Sequence, residues 1–133
     1  MPLRFLDADG YGTVADEISA IDYAIANGAH IINASFGSSI YSQFERDAIS
    51  NANTAGILFV AAAGNDSLNN DASPFYPASY DLDNIISVAA TDQDDNLSLF
   101  SNYGPASVDV GAPGENIFST IPGAGYWLSL IHI

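Results

Sequence analysis

Apolar and polar residues alternate along this chain with a period that switches repeatedly. Leu3 to Leu6 reads as a short buried strand, and Asp7-Ala-Asp-Gly-Tyr-Gly12 after it has the make-up of a turn. Thr13 opens a helix with Asp16 in a capping-box-like position, and Val14, Ile18, Ile21 and Ile25 recur at helical spacing until Gly28 ends it. His30 to Ala34 predicts a second strand. Ser42 with Glu45 repeats the helix-start signal ahead of Phe44, Ala48, Ile49 and Ala52, and Gly56 repeats the stop. Ile57-Leu-Phe-Val-Ala-Ala-Ala63 is then apolar throughout, as a strand is when helices cover both faces of a parallel sheet. The series is β-α-β-α-β, and the fold class it predicts is α/β, a three-layer α/β/α arrangement on a mostly parallel sheet. Further strands are expected at Ile85 to Ala90, Val108 to Val110 and Ile117 to Ser119. Between them lie loops rich in Asn, Asp, Ser and Pro, at 65–84 and 91–107. Neither an internal repeat nor an interdomain linker is visible.

Composition narrows the function. The 133 residues are 48% hydrophobic, enough for one domain with a core. Sixteen acidic residues face only Arg4 and Arg46, for a net charge of −14. Such a surface repels nucleic acid and anionic membrane, so neither is expected as a partner. The absence of cysteine excludes disulfides, zinc-thiolate sites and cysteine nucleophiles. No apolar run reaches the roughly 20 residues of a membrane span, and the first residues lack the pattern of a signal peptide.

In open parallel sheets ligands sit beyond the carboxyl ends of the strands, which directs attention to Asp7 to Gly12, Ser35 to Gly37, and Gly64-Asn65. Gly64 lets the backbone turn sharply off its strand, and the Asn65 amide offers two N–H donors without charge. That suits a developing oxyanion; a loop asparagine capping backbone groups is the plainer alternative. Gly10-Tyr-Gly-Thr-Val-Ala15 fits a dinucleotide-binding fingerprint, but the acid that fingerprint expects about 20 residues on is missing from Ile31 to Gly37.

Several strings in fixed order resemble the subtilisin-like serine proteases, or subtilases: Ala20-Ile-Asp-Tyr-Ala-Ile-Ala-Asn-Gly-Ala29, Ile32-Asn-Ala-Ser-Phe-Gly37, Val60-Ala-Ala-Ala-Gly-Asn65, Tyr76-Pro-Ala78, Phe100-Ser-Asn102 and Val110-Gly-Ala-Pro-Gly114. The resemblance implies an internal part of a serine endopeptidase domain that works on polypeptides through an acyl-enzyme. It makes Asn65 the side-chain donor to the tetrahedral intermediate and Ser35, Phe36 and Gly37 an edge along the substrate backbone. Ala62, Ala63 and Gly64 become one wall of the pocket for the side chain before the scissile bond. It also implies a cis Tyr76–Pro77 bond, an extracellular location and no organic cofactor. Structural calcium, a frequent family feature, stays open: Asp92 to Asn96 has oxygen donors but not the spacing of an EF-hand loop, and no residue is assigned to a metal.

The family's catalytic strings, an Asp-Ser/Thr-Gly turn, a His-Gly-Thr-His-like helix start and a Gly-Thr-Ser-Met-like one, do not occur in these residues. The polypeptide as written is therefore expected to be inactive. Asp7 and Asp9 read as turn residues, and His30 as a packed or capping residue. Residues 1–126 are expected to be part of the peptidase domain. Residues 127–133 are expected to be a non-native tail, since Leu128 to Ile133 resembles the translation of a sequencing adapter. The alternatives carried forward are a non-catalytic subtilisin-like binding protein and, further off, a dinucleotide-binding module.

Overall fold

Both helices begin at the caps the sequence marks. In a computed structural model that describes residues 1–121 and 125–129, α1 spans Val14–Ala26 and α2 spans Gln43–Thr54. Thr13 Oγ1 accepts from Asp16 N at 3.2 Å and donates to Asp16 Oδ2 at 2.6 Å, while Ser42 Oγ accepts from Glu45 N at 3.3 Å. Each cap satisfies an N–H that the first turn leaves without a helical partner. Both helices end in the same way, with Gly28 at φ +70° and Gly56 at φ +75°. The next residue's N–H then reaches back to the last turn: Ala29 N to Ala24 O at 3.1 Å, and Ile57 N to Ala52 O at 3.0 Å.

Four strands, β1 (Ile31–Ala34), β2 (Leu58–Ala62), β3 (Ile85–Thr91) and β4 (Val110–Pro113), form one sheet in that order, every pair parallel. Ile32 lies beside Phe59, and Phe59 beside Ile85, so these three share one face with Ala34 and Ala61. Against that face pack Ile18, Ile21 and Ile25 of α1 and Ala48, Ile49 and Ala52 of α2. Phe59 and Ile49 are fully buried, each burial contributing roughly 1.5–3 kcal/mol. A hairpin of β5 (Ile117–Ile121) and β6 (Gly125–Ser129) follows, antiparallel, with Ile117 opposite Ser129.

The structure corrects three local expectations. Leu3 to Leu6 forms no strand, because among the described residues no other strand pairs with it; it crosses α1 as coil, with Phe5 edge-on to Phe36 at 4.8 Å. The fourth strand is Val110–Pro113 rather than Val108 to Val110. Pro113 is tolerated because β4 has a partner on one side only among the described residues, and Gly111 admits the close approach of Thr91. Phe44 is exposed, since it lies roughly 90° around α2 from the stripe of Glu45, Ala48, Ile49 and Ala52 that faces inward. Both helices lie on one sheet face, and among the described residues no helix covers the other, where Ile31, Leu58 and Val110 are exposed. Of the expected tail, 127–129 form the end of β6, and 130–133, His132 included, lie outside the described residues.

Candidate functional site

β1 and β2 are parallel and in register, Ala34 beside Ala61, so the segments that follow them leave the same end of the sheet. Ser35, Phe36 and Gly37 follow β1; Ala63, Gly64 and Asn65 follow Ala62, the last residue of β2. The sheet thus brings the predicted substrate edge and the predicted donor together. Ser35 is exposed, and its Oγ accepts from Asn33 Nδ2 at 3.0 Å. Phe36 is half-buried against the core. Gly37 abuts the Phe75 ring and the Tyr76 carbonyl, and next to it Ser38 and Tyr76 exchange two backbone hydrogen bonds of 2.8 Å. The Tyr76–Pro77 bond is cis, as the resemblance implied.

Ala62 is half-buried, and Ala63 and Gly64 are buried. Gly64 takes φ +115°, where an L side chain is strained, and this turn lifts Asn65 off the strand into solvent. Among the described residues no group hydrogen-bonds to the Asn65 side chain amide, so its two N–H donors are free for a ligand. The plainer expectation, an asparagine capping its own loop, is not what this geometry shows. Capping falls instead to Asn102, whose Oδ1 accepts from Asp66 N at 2.8 Å and Leu68 N at 3.1 Å.

Sequence reasoning did not single out Phe75, which the structure sets between the two segments. Its ring lies against both Gly37 and Gly64, so it separates the edge segment from the donor turn. Its flanking Tyr76-Pro-Ala78 was visible as a motif, but the contact spans about one helix-and-strand length of chain and has no local signature. Two concavities of about 770 and 720 Å³ lie where the N-terminal coil crosses α1; Phe36 lines the second, and neither reaches Asn65. These hollows are gaps beside a coil segment that has no strand partner among the described residues. Glu17 lines the second hollow and is almost fully buried beside Glu45. Burial first, then the Glu45 charge, pushes the Glu17 carboxyl up to about 9.

The other candidates fall away on geometry. Asp7 Oδ1 accepts from Asp9 N and Tyr11 N, both at 2.9 Å, so it shapes a turn. His30 is exposed, and its carbonyl accepts from Leu58 N at 3.1 Å. The fingerprint Gly10 to Ala15 follows coil, not the strand that a dinucleotide site requires. Asp92 Oδ1 accepts from Asn96 N at 2.9 Å and Asp94 N at 2.8 Å, bonds that shape a turn and hold its carboxyl below the usual range. Among the described residues no cluster of His, Cys, Asp or Glu is placed to hold a metal, and no helix is long and apolar enough to cross a membrane.

The parallel sheet thus sets the Ser35–Gly37 segment after β1 and the exposed Asn65 after β2 at one end of the sheet. The profile of the Subtilase family matches residues 1–131, and the chain belongs to that family. It is 45% identical over 126 residues to the thermophilic serine proteinase of a Bacillus species, covering 95% of this chain and 30% of that protein. It is 42% identical over 128 residues to subtilisin-like protease 2 of Plasmodium falciparum, covering 93% of this chain and 10% of that protein. Among solved structures, a cold adapted subtilisin-like serine proteinase superposes with a TM-score of 0.85 at 32% identity, over 96% of this chain and 45% of that one. The chain thus spans less than half the length of these relatives. Its fold is the three-layer α/β/α fold of the family, of which the described residues supply the sheet and one helical layer.

Proposed function

We propose that this chain is part of a serine endopeptidase that cleaves polypeptides through an acyl-enzyme, and that it supplies the oxyanion donor and one side of the substrate cleft. Asn65 is the donor. Its solvent-facing amide beyond β2, without a hydrogen-bond partner among the described residues and beside a glycine at positive φ, is the observation that carries the proposal. Fixed neutral donors aimed at developing charge are worth far more than the same group in water, because they need no reorganisation during the reaction. Ser35, Phe36 and Gly37 run along the substrate, and Ala62, Ala63 and Gly64 form a wall of small residues with room for a large apolar side chain. The nucleophile, base and orienting acid come from sequence outside these residues, so the 133-residue polypeptide itself is inactive. In this scheme residues 1–126 are peptidase and 127–133 a tail foreign to it, although 127–131 fall within the family match; reading the flanking DNA decides the boundary. An extracellular location follows from the same kinship, and no organic cofactor is required.

The test is Asn65→Ala in the full-length enzyme, measured as kcat and KM on a peptide anilide. The amide meets only the transition state, so kcat falls and KM stays nearly constant. The expected loss of about 10²–10³ in kcat is the figure known for this type of donor in subtilisin, itself a member of the family, and is carried over from it. If the full-length gene carries substitutions at all three triad positions, the protein is a non-catalytic binding relative instead.

A further inference from the structure

Among the described residues nothing hydrogen-bonds to the Asn65 side chain, so what positions it is the backbone it springs from, and that backbone is gripped by one buried side chain. Asn102 is 1% exposed. Its Nδ2 donates to Ala63 O at 3.1 Å and to Asn70 Oδ1 at 3.0 Å, and its Oδ1 accepts from Asp66 N and Leu68 N. Its backbone N donates to Gly64 O at 2.9 Å. One amide thereby uses both hydrogens and both lone pairs, and together with its own N–H it ties down residues on either side of Asn65. Asn70, equally buried, braces the grip by donating to Ala63 O at 2.8 Å.

We propose that Asn102, braced by Asn70, is the positioning residue that aims the Asn65 donor. The inference rests on Asn65 being the oxyanion donor. Gly64 is the most permissive residue type and sits at a positive φ, so the turn has no stiffness of its own. Asn102 fills the space that a β-carbon on Gly64 would occupy, so filling and bonding act on the same turn. An oxyanion donor has to be held to within a fraction of an ångström, and a misplacement of about 1 Å costs up to about 10²-fold in rate. The side chain must be a neutral amide. A carboxylate at 102 would face the Ala63 and Asn70 oxygens with no hydrogen to give, and a hydroxyl is too short to reach four groups.

The experiment uses the full-length enzyme, with Asn102→Asp, Asn102→Ala and Asn70→Ala each made alone and combined with Asn65→Ala. Readouts are kcat, KM and the thermal midpoint. The expected result is a kcat loss of roughly 10- to 100-fold with KM within about twofold, and no further loss when Asn65 is already alanine, because no donor is left to aim. A role in folding alone would lower kcat by the same factor in both backgrounds, and that result overturns the proposal. So does wild-type kcat in the position-102 variants. Should those variants fail to fold, Asn70→Ala, which removes only the brace, carries the same comparison. If Asn65→Ala itself leaves kcat unchanged, the donor assignment fails and this inference with it; if Asn65→Ala lowers kcat while Asn102→Asp and Asn70→Ala do not, only the inference fails.

Discussion

The Tyr80 hydroxyl donates to Glu45 Oε2 at 2.7 Å and accepts from Ser42 N at 3.1 Å, which ties the loop after the cis proline to the start of α2. Glu45 in turn meets Glu17 of α1, and both carboxyls are almost fully removed from water. Two buried carboxylates side by side cannot both be ionised, so one keeps its proton. Burial, then the Glu45 charge, holds Glu17 protonated at neutral pH, with Glu45 as its bond acceptor. Burial, then its own bond to Glu45, pushes the Tyr80 phenol up as well.

This pair makes stability fall with rising pH. The folded pKa of Glu17, about 9, lies above the ordinary 4.5, so its contribution is complete below 4.5 and is lost as pH climbs through about 9. In that window one proton gives a slope approaching about 1.4 kcal/mol per pH unit. Denaturant unfolding between pH 6 and 9 should show it. Glu17→Gln, which keeps a donor to Glu45 and cannot ionise, should flatten the curve; equal slopes in both proteins would show that Glu17 is not the titrating group.

Gly64→Ala should destabilise the fold by about 1–3 kcal/mol, the usual cost of a non-glycine residue at a forbidden φ, here with a collision against Asn102 added. Chemical denaturation measures it. A change under about 0.5 kcal/mol would place the turn among ordinary surface positions.

Asn65→Asp tests the sign of charge at the donor. A carboxylate of the same size sets negative charge against the developing oxyanion, so near neutral pH the full-length variant should be no faster than Asn65→Ala, both about 10²–10³ below wild type by the subtilisin figure. An Asp variant that retained wild-type kcat would remove Asn65 from the oxyanion site.

The 133-residue polypeptide should hydrolyse neither casein nor a peptide anilide, since the family's nucleophile and base strings do not occur in it. Turnover that survives purification and disappears in Asn65→Ala would contradict this.

Local chemistry made much of the fold legible in the sequence. Thr13 and Ser42 cap through bonds to residues three positions on, and Gly28 and Gly56 stop helices by their own backbone freedom, so each signal is complete within one turn of chain. The apolar run ending at Gly64-Asn65 marked a parallel strand, and its direction put the residues after it at the carboxyl end of the sheet; the donor role proposed for Asn65 came from the family resemblance. What tertiary structure decided involves partners far apart in sequence. Leu3 to Leu6 has strand composition yet remains coil, because a strand exists only with a neighbour to bond. Glu17 and Glu45 look like solvated helix positions and are buried, because α1 and α2 meet on one face of the sheet and enclose them. Asn102 lies 39 residues from Ala63 and 32 from Asn70, and no periodicity links them. Folding alone makes one buried amide answer four groups, since any of them left unpaired there would cost about 1–3 kcal/mol.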